Sequence, residues 1–598
     1  MANRMYICDF ETTTDINDCR VWAACAVSLE DGQVAHLSNS IETFIEWAEK
    51  IGSCKLYFHN LKFDGEFIIS WLLSNGYGHV SNEIKAVPEG CFQTLISDMG
   101  QFYKIKVCFK RKGKKIVNCE FVDSLKKLPF SVRQIAKDFG LAMAKGEIDY
   151  AKFREQGYEL SEEEREYIIT DCKIVQEALK YQLDEGMKKM TIASDALSYY
   201  KEMIGRRFDY WFPTLPKILD DDLRKAYKGG FTYCNPKFAG KDIGVGVTLD
   251  VNSLYPSCMY SNMLPYGYPV FFEGKYKPDP MYPLYIARVR CAFRVKPDHI
   301  PMMQIKRGIF QETEYLESSE MDFDGVREMM VVDLTLTSVD LELFLDHYDT
   351  FDLEYISGYK FKGQIGMFKE YIDHWMEIKA TAPKNSAQRA IAKLYLNSLY
   401  GKFASATERL QKVPYMAPDG VVRYYCNHEP LMDKHGNYCF DEKGRIIYQT
   451  DEKGYPVQRL PEIVDAVYTP VGAFITAWAR YKTITSAQAV YDRFIYADTD
   501  SLHLIGPEMP EGLEIHPSKL GAWDHEGTFT KARFLRAKTY METFDGKNKV
   551  TCAGMPENVK EQVTYDNFHY GATFPGKLLP KRVKGGIVLS AVDFTIKL

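Results

Sequence analysis

The chain has 598 residues, 46 % of them hydrophobic and 26 % charged, with 75 basic against 81 acidic side chains and a formal net charge of −6. That composition excludes a disordered chain, a collagen-like fibre and a small disulfide scaffold, and at about 150 residues per domain it suggests roughly four domains. The 14 cysteines include no C-x-x-C pair, which argues against a zinc ribbon or finger; no run of 18 apolar residues predicts a membrane span; and the acidic N-terminus lacks the apolar core of an export signal, so thiols in a reducing cytoplasm are expected.

Basic residues are clustered despite the net charge. Residues 101–119 carry seven Lys/Arg and no acid, residues 360–402 carry eight basic against three acidic, and residues 531–598 twelve against six. Such stretches suit phosphate contact, although each alone is equally a solvated face. The 40 tyrosines allow stacking on bases.

In chain order, the first 190 residues alternate strand and helix patterns. They predict a strand over 5–10, an amphipathic helix over 41–51, a short strand over 55–59, a helix over 65–74 and a hairpin of 102–110 with 115–123. S-E-E-E at 161 is a capping box that opens a helix running to about 185, which completes an α/β unit. A turn-rich segment precedes a strand over 245–251, and residues 261–358 read as short strands rich in Pro and Tyr. Two helices, 367–379 and 386–400, flank T-A-P-K-N. Residues 406–466 read as a meander whose turns are D-K-H-G and two copies of D-E-K-G. A strand-to-helix passage spans 466–490, a hairpin with A-D-T-D at its turn spans 493–505, and the C-terminal end is mixed and basic.

Two sets of carboxylates carry the chemistry. Asp9 and Glu11 are two apart on a strand and so share a face. Tyr167 and Asp171 share a helix face at i, i+4, and Asp64 follows H-N-L-K-F at a strand-to-helix junction. Each acid alone is also readable as a solvated strand end; together they are an oxygen donor set for two hard divalent cations, which suits phosphodiester cleavage. Asp250 ends an apolar run, and Asp498 and Asp500 flank a hairpin turn; one sheet could unite them around two Mg²⁺ for phosphoryl transfer to a hydroxyl. Between them Arg389, Lys393, Asn397 and Tyr400 form one helical stripe that suits a triphosphate at one end and a base or sugar at the other, or an exposed face with a half-buried Tyr.

The order D-x-E, N-x-x-F-D, Y-x-x-x-D resembles the three motifs of DEDD-type proofreading 3′–5′ exonucleases. D-V-N-S-L-Y-P, K-L-Y-L-N-S-L-Y-G, Y-A-D-T-D-S and K-T-Y (538–540) resemble the first palm, fingers, second palm and primer-holding motifs of family B DNA polymerases. Y-K-G-G-F-T (227–232) resembles the linker that coordinates synthesis with editing. With C-D-F-E-T-T-T, Y-F-H-N-L-K-F-D-G, D-S-L-K-K-L-P-F, L-P-Y-G and C-A-G-M in the same order, nearly the whole chain is similar to the protein-primed DNA polymerases of the phi-twenty-nine-like bacteriophages.

The resemblance implies an α/β multidomain fold: a ribonuclease-H-like 3′–5′ exonuclease domain (1–190), then a right-hand polymerase with two insertions. These are palm 191–260 and 467–551, a terminal-protein-region insertion 261–358, fingers 359–405, a second insertion 406–466 and thumb 552–598. It implies that Asp250, Val251 and Asp500 hold the polymerase metals with Asp498 supporting, and that Lys379 and Lys393 meet the triphosphate. Tyr255 would stack under the sugar and exclude a 2′-hydroxyl, Tyr400 would pack on the nascent pair, and Asn397 would complete the nucleotide site. Asp9, Glu11, Asp64 and Asp171 would hold the editing metals, with Tyr167 orienting the water and Lys145 assisting. His59, Asn60, Phe63, Ser124, Leu125 and Tyr150 would grip a frayed 3′ end; Tyr227, Gly229 and Gly230 would touch DNA in the linker, and Lys538 and Tyr540 would hold the primer terminus.

The implied activity is DNA-directed DNA synthesis with proofreading, protein priming and processive strand displacement. Its cofactor would be Mg²⁺, two ions per active site, with Mn²⁺ able to substitute. Its partners would be primer-template DNA, dNTPs, a phage terminal protein and a single-stranded-DNA-binding protein, met by a monomer in the bacterial host's cytoplasm. Two rival classes are a dedicated exonuclease with a non-catalytic second half and a non-enzymatic DNA-binding protein. The second acid set speaks against the first rival, and buried acids without a cation are too costly for the other. Residues 406–466 depart from the family by being expanded, and 541–549 by being shortened.

Overall fold

The computed structural model describes residues 4–109, 117–143, 146–150, 152–305 and 315–597. An eight-stranded sheet organises the N-terminal domain, in the order Val34–Ser38, Val21–Ser28, Arg4–Thr12, Cys54–Phe58, Asn118–Asp123, Phe102–Cys108, Cys91–Ile96, Gly78–His79. Arg4–Thr12 is antiparallel to Val21–Ser28 and parallel to Cys54–Phe58, which is parallel to Asn118–Asp123. Val21–Ser28 reads as an unbroken apolar run because helix Glu162–Asp184 covers one face and helix Ile41–Ile51 the other. The long helix starts where its capping box places it: the Ser161 hydroxyl accepts from Glu164 N and the Glu164 carboxylate accepts from Ser161 N.

A second, antiparallel sheet runs Trp523–Phe529, Gly246–Val251, Ser501–Ile505, Phe494–Asp498, Thr232–Cys234. Helix Thr469–Ala489 packs on it, and Leu254–Ser261 packs on that helix. The helical hairpin Lys369–Thr381 and Ala387–Ser398 leans on Leu254–Ser261 and on Ile192–Ile204. Its second helix ends before Tyr400, which opens the short helix Tyr400–Phe403.

The segment read as short strands instead builds a long-stranded sheet, Leu264–Glu273, Tyr348–Gln364, Leu284–Val295, Val332–Thr337. Its prolines misled: Pro265 and Pro269 sit on an edge strand, where a missing N–H breaks no ladder, and a bulge between Tyr266 and Val270 absorbs the G-Y-P run. Strand Tyr348–Gln364 also crosses the expected boundary at 358.

Residues 406–466 form the expected meander of very short strands and single bridges. At its three turns Asp433, Asp441 and Asp451 each accept two backbone N–H groups, and a glycine at positive φ follows each (Gly436, Gly444, Gly454). Thr539–Phe544 and Lys547–Cys552 turn through Asp545 and Gly546, both at positive φ, a two-residue connection that shortens this hairpin. The final hairpin, Thr573–Val583 with Gly586–Thr595, reaches back to the N-terminal domain. A Cβ at Gly585 would stand 2.4 Å from the Cys19 carbonyl oxygen, so only glycine fits there.

Candidate active sites

The first acid set converges. Asp9, Glu11, Asp64, Tyr167 and Asp171 line one cavity of about 710 Å³, joined by His59, Asn60, Phe63 and Tyr150. Strand alternation brings Asp9 and Glu11, helix Leu61–Ser74 brings Asp64 on its first turn, and Glu162–Asp184 brings the i, i+4 pair. Asn60 adopts φ +75, a left-handed turn that asparagine tolerates, and makes no side-chain cap. Burial, then Asp9, push the Asp64 carboxyl well above the usual carboxylate range. Burial raises the Tyr167 phenol, and its hydroxyl lies 3.0 Å from that of Tyr150.

A divalent cation fits this site. Asp64 Oδ1 is buried with no hydrogen-bond partner among the described residues, and the donors are all carboxylate oxygens. No three His, Cys, Asp or Glu side chains among the described residues converge on one metal-sized point.

Not every expected end-gripping residue faces the cavity. Ser124 is fully buried, its hydroxyl 3.1 Å from His59 Nδ1 and donating to the Phe58 carbonyl at 3.1 Å, so it orients His59. Leu125 does not line the cavity, and Lys145 lies outside the described residues. Sequence reasoning missed Asp123, whose carboxylate accepts from Asn60 N, Leu61 N and Leu125 N and so ties both loops together. It also missed Leu578 and Leu589, which reach the cavity from the final hairpin and have no local signal.

The second acid set also meets in one sheet. Asp250 lies opposite Ser501 on one side and Asp524 on the other, and Val251 N donates to the Asp500 carbonyl at 2.7 Å. Burial first, then Asp500, Glu526 and Asp524, raise the Asp250 carboxyl to about 7; burial raises Asp500 as well. A site of repelling carboxylate oxygens is again suited to hard cations. Asp524 went unnoticed because only the sheet order brings it beside Asp250.

Asp498 has a different setting. It pairs with Lys538 Nζ at 2.9 Å through both oxygens and accepts from Thr232 Oγ1 at 2.9 Å. Its turn requires a close approach from Y-K-G-G: a Cβ at Gly230 would stand 2.6 Å from Thr499 Oγ1, whereas Gly229 has open space around it. Thr499 N donates to Phe231 O.

The stripe read as one helical face is split: Arg389, Lys393 and Asn397 lie on Ala387–Ser398, and Tyr400 on the short helix that follows. Tyr255 and Tyr400 stack with ring centroids 4.1 Å apart, and burial, with Tyr227 nearby, raises both phenols. Lys379 Nζ donates to Ser253 Oγ at 3.4 Å, and burial, Arg389 and Lys393 lower its ammonium. Arg389 also donates to the Lys379 carbonyl. Lys393 and Asn397 are exposed one turn apart on the same helix.

The family described as DNA polymerase type B, organellar and viral, matches residues 50–436. The DNA polymerase of Bacillus phage phi29 is 45 % identical over 619 aligned residues covering 100 % of both chains. That of Streptococcus phage Cp-1 is 33 % identical over 617 residues, covering 99 % of this chain and 98 % of its own. The structure of phi29 DNA polymerase with primer-template DNA and incoming nucleotide superposes with a TM-score of 0.87 over 100 % of both chains at 45 % identity. The exonuclease, palm, fingers and thumb arrangement implied by the motifs is the fold of this protein. The chain belongs to the type B DNA polymerases, in their phi29-like phage branch.

Proposed function

We propose that this polymerase joins template-directed synthesis at the second acid set to 3′–5′ proofreading at the first. The carrying observation is that the two sets lie on separate sheets, each with its own surrounding contacts. Support for DNA and nucleotide as ligands comes from the phi29 structures that hold primer-template DNA and incoming nucleotide.

In synthesis the primer 3′-hydroxyl attacks the α-phosphate of a dNTP and pyrophosphate leaves. Asp250 and Asp500, with Val251 beside them, would hold Mg²⁺ or Mn²⁺, which when bound neutralises phosphate charge and makes the hydroxyl a better nucleophile. Lys379, Lys393 and Arg389 form a cationic cluster that receives the triphosphate. The Tyr255–Tyr400 stack gives the sugar and base a flat floor that leaves no room for a 2′-hydroxyl. Lys538 is held by Asp498 and, with Tyr540, sets the primer terminus.

In proofreading Asp9, Glu11, Asp64 and Asp171 would hold the ions, which when bound supply the activated water of phosphodiester hydrolysis. Tyr167 stays protonated and can direct that water through its hydroxyl. His59, Asn60, Phe63 and Tyr150 receive the unpaired end, and Lys145 assists. We also assign the domain division given by the motifs, priming by a terminal protein, strand displacement assisted by a single-stranded-DNA-binding protein, and work as a monomer in the host cytoplasm. Full-length similarity to the phi29 polymerase supports these assignments. No helix of the described residues is long and apolar enough to cross a membrane.

The test is a labelled primer with a mispaired 3′ end, incubated with template and Mg²⁺. Shortening without dNTPs, and excision followed by extension when dNTPs are added, is expected. Extension of the intact mismatch with no shortening would refute proofreading. Incubation with a cognate terminal protein and dNTP, looking for a protein–nucleotide adduct, tests priming.

A further inference from the structure

Beneath the K-T-Y segment lies a buried polar junction outside both acid sets. Glu542, 1 % exposed, accepts from His503 Nδ1 at 2.7 Å and from Thr248 Oγ1 at 2.9 Å. Thr248 and His503 face each other across the strand pair that carries Asp250 and the residues following Asp500. Glu542 lies two residues after Tyr540 on Thr539–Phe544, a strand of a different sheet. One carboxylate thus joins three strands: one ending in an acid of the synthetic site, one following its turn, and one carrying Tyr540.

The junction continues upward through aromatic rings. The His503 ring sits 5.2 to 5.3 Å from those of Tyr496, Phe534 and Tyr540, and Tyr540 stacks on Phe534 at 5.0 Å. Tyr496 OH accepts from Lys538 N at 2.9 Å and donates to Asp498 at 3.4 Å. His503 Nε2 is buried with no hydrogen-bond partner among the described residues, so Nδ1 alone anchors the ring. A buried carboxylate is costly to desolvate and directional when satisfied, which makes it a poor filler and a good fixed point.

We propose that Glu542 is a positioning residue for the primer terminus: through His503 and Thr248 it fixes the Tyr540 strand against the strand of Asp250. This rests on reading Lys538 and Tyr540 as the primer contacts. Loss of the carboxylate should let the primer terminus shift away from Asp250 and Asp500 while the nucleotide and degradative sites stay intact.

The experiment compares Glu542→Ala, Glu542→Gln and Tyr540→Ala in the full chain. Readouts are KM for primer-template, KM for dNTP, the ratio of extension to degradation on a paired primer, and degradation of a single-stranded oligonucleotide. Glu542→Ala should raise the primer-template KM about ten-fold and tilt the ratio toward degradation, with dNTP KM and single-strand degradation within two-fold. Glu542→Gln keeps the acceptor oxygen and should restore all values to within two-fold. An unchanged primer-template KM in Glu542→Ala, beside a raised one in Tyr540→Ala, overturns the coupling alone. An unchanged value in Tyr540→Ala overturns the reading of Tyr540 and the inference with it. If Glu542→Ala does not fold, Thr248→Val removes one hydrogen bond at equal volume; a three-fold rise supports the inference and no rise overturns it.

Discussion

Arg582 on the final hairpin donates from Nε to Glu66 Oε1 at 2.9 Å, across 516 residues of sequence. Tyr424 of the meander donates to the other oxygen at 2.9 Å, and the Arg582 guanidinium lies 4.6 Å over its ring. Glu66 is 1 % exposed and sits two residues after Asp64. The N-terminal domain, the meander and the C-terminal hairpin are thus tied at one point. Arg582→Ala strands a buried carboxylate and should cost about 3 kcal/mol, read as a lowered denaturation midpoint. Glu66→Leu combined with Arg582→Met should recover most of that loss; equal instability in the double variant would contradict the assignment.

The raised Asp250 carboxyl makes stability depend on pH and on cations. Its folded value of about 7 lies above the ~3.9 of an unfolded chain. The folded state therefore binds the proton more tightly. That contribution is fully present below about pH 4 and is lost as pH rises through 7. In a chelator, stability should fall across this window by about 2 kcal/mol on this group's account, after allowance for its partial exposure. Asp250→Asn should flatten that part of the slope, and Mg²⁺ at pH 8 should raise the melting temperature of the parent more than that of the variant. Equal Mg²⁺ responses would contradict cation binding there.

The Tyr255–Tyr400 stack should act as the sugar gate. Tyr255→Ala opens the floor and should raise ribonucleotide incorporation relative to deoxyribonucleotide by at least ~10-fold in single-nucleotide extension. An unchanged ratio would move the gate elsewhere.

How much of this was legible in the sequence follows the range of each contact. Asp9 with Glu11, and Tyr167 with Asp171, are periodicities of one element, so their convergence could be read before any fold was known. The capping box at Ser161 placed a helix start to the residue for the same reason. Asp524 beside Asp250 depends on sheet order, and Leu578, Leu589 and Arg582 reach the N-terminal domain across hundreds of residues; no local pattern encodes those contacts. Ser124 is a case where the motif gives a residue's place but not its neighbours: its burial and its contact with His59 appear only in the fold.

The meander offers a graded test. Its turns carry Lys434, Lys443, Arg445 and Lys453, and Arg459 anchors its base by donating to the Gln411 and Cys426 carbonyls at 2.8 Å. Replacing residues 428–458 by a two-residue turn removes these four cations, together with the six acids of the same segment, and spares the Tyr424 contact. Products made in a single binding event should shorten several-fold, less so at higher salt where phosphate contacts weaken in the parent too, while the rate per nucleotide holds. Unchanged product length would make the expansion a tolerated surface insertion.

If two independent acid sites run opposite reactions, each activity can be removed without the other. Asp9→Ala with Glu11→Ala, and separately Asp500→Ala, should be assayed on one labelled primer-template with Mg²⁺, with and without dNTPs. The first variant should extend normally and degrade at least ~10³-fold more slowly; the second should degrade normally and extend at least ~10³-fold more slowly. Loss of both activities in either folded variant would contradict two separate sites.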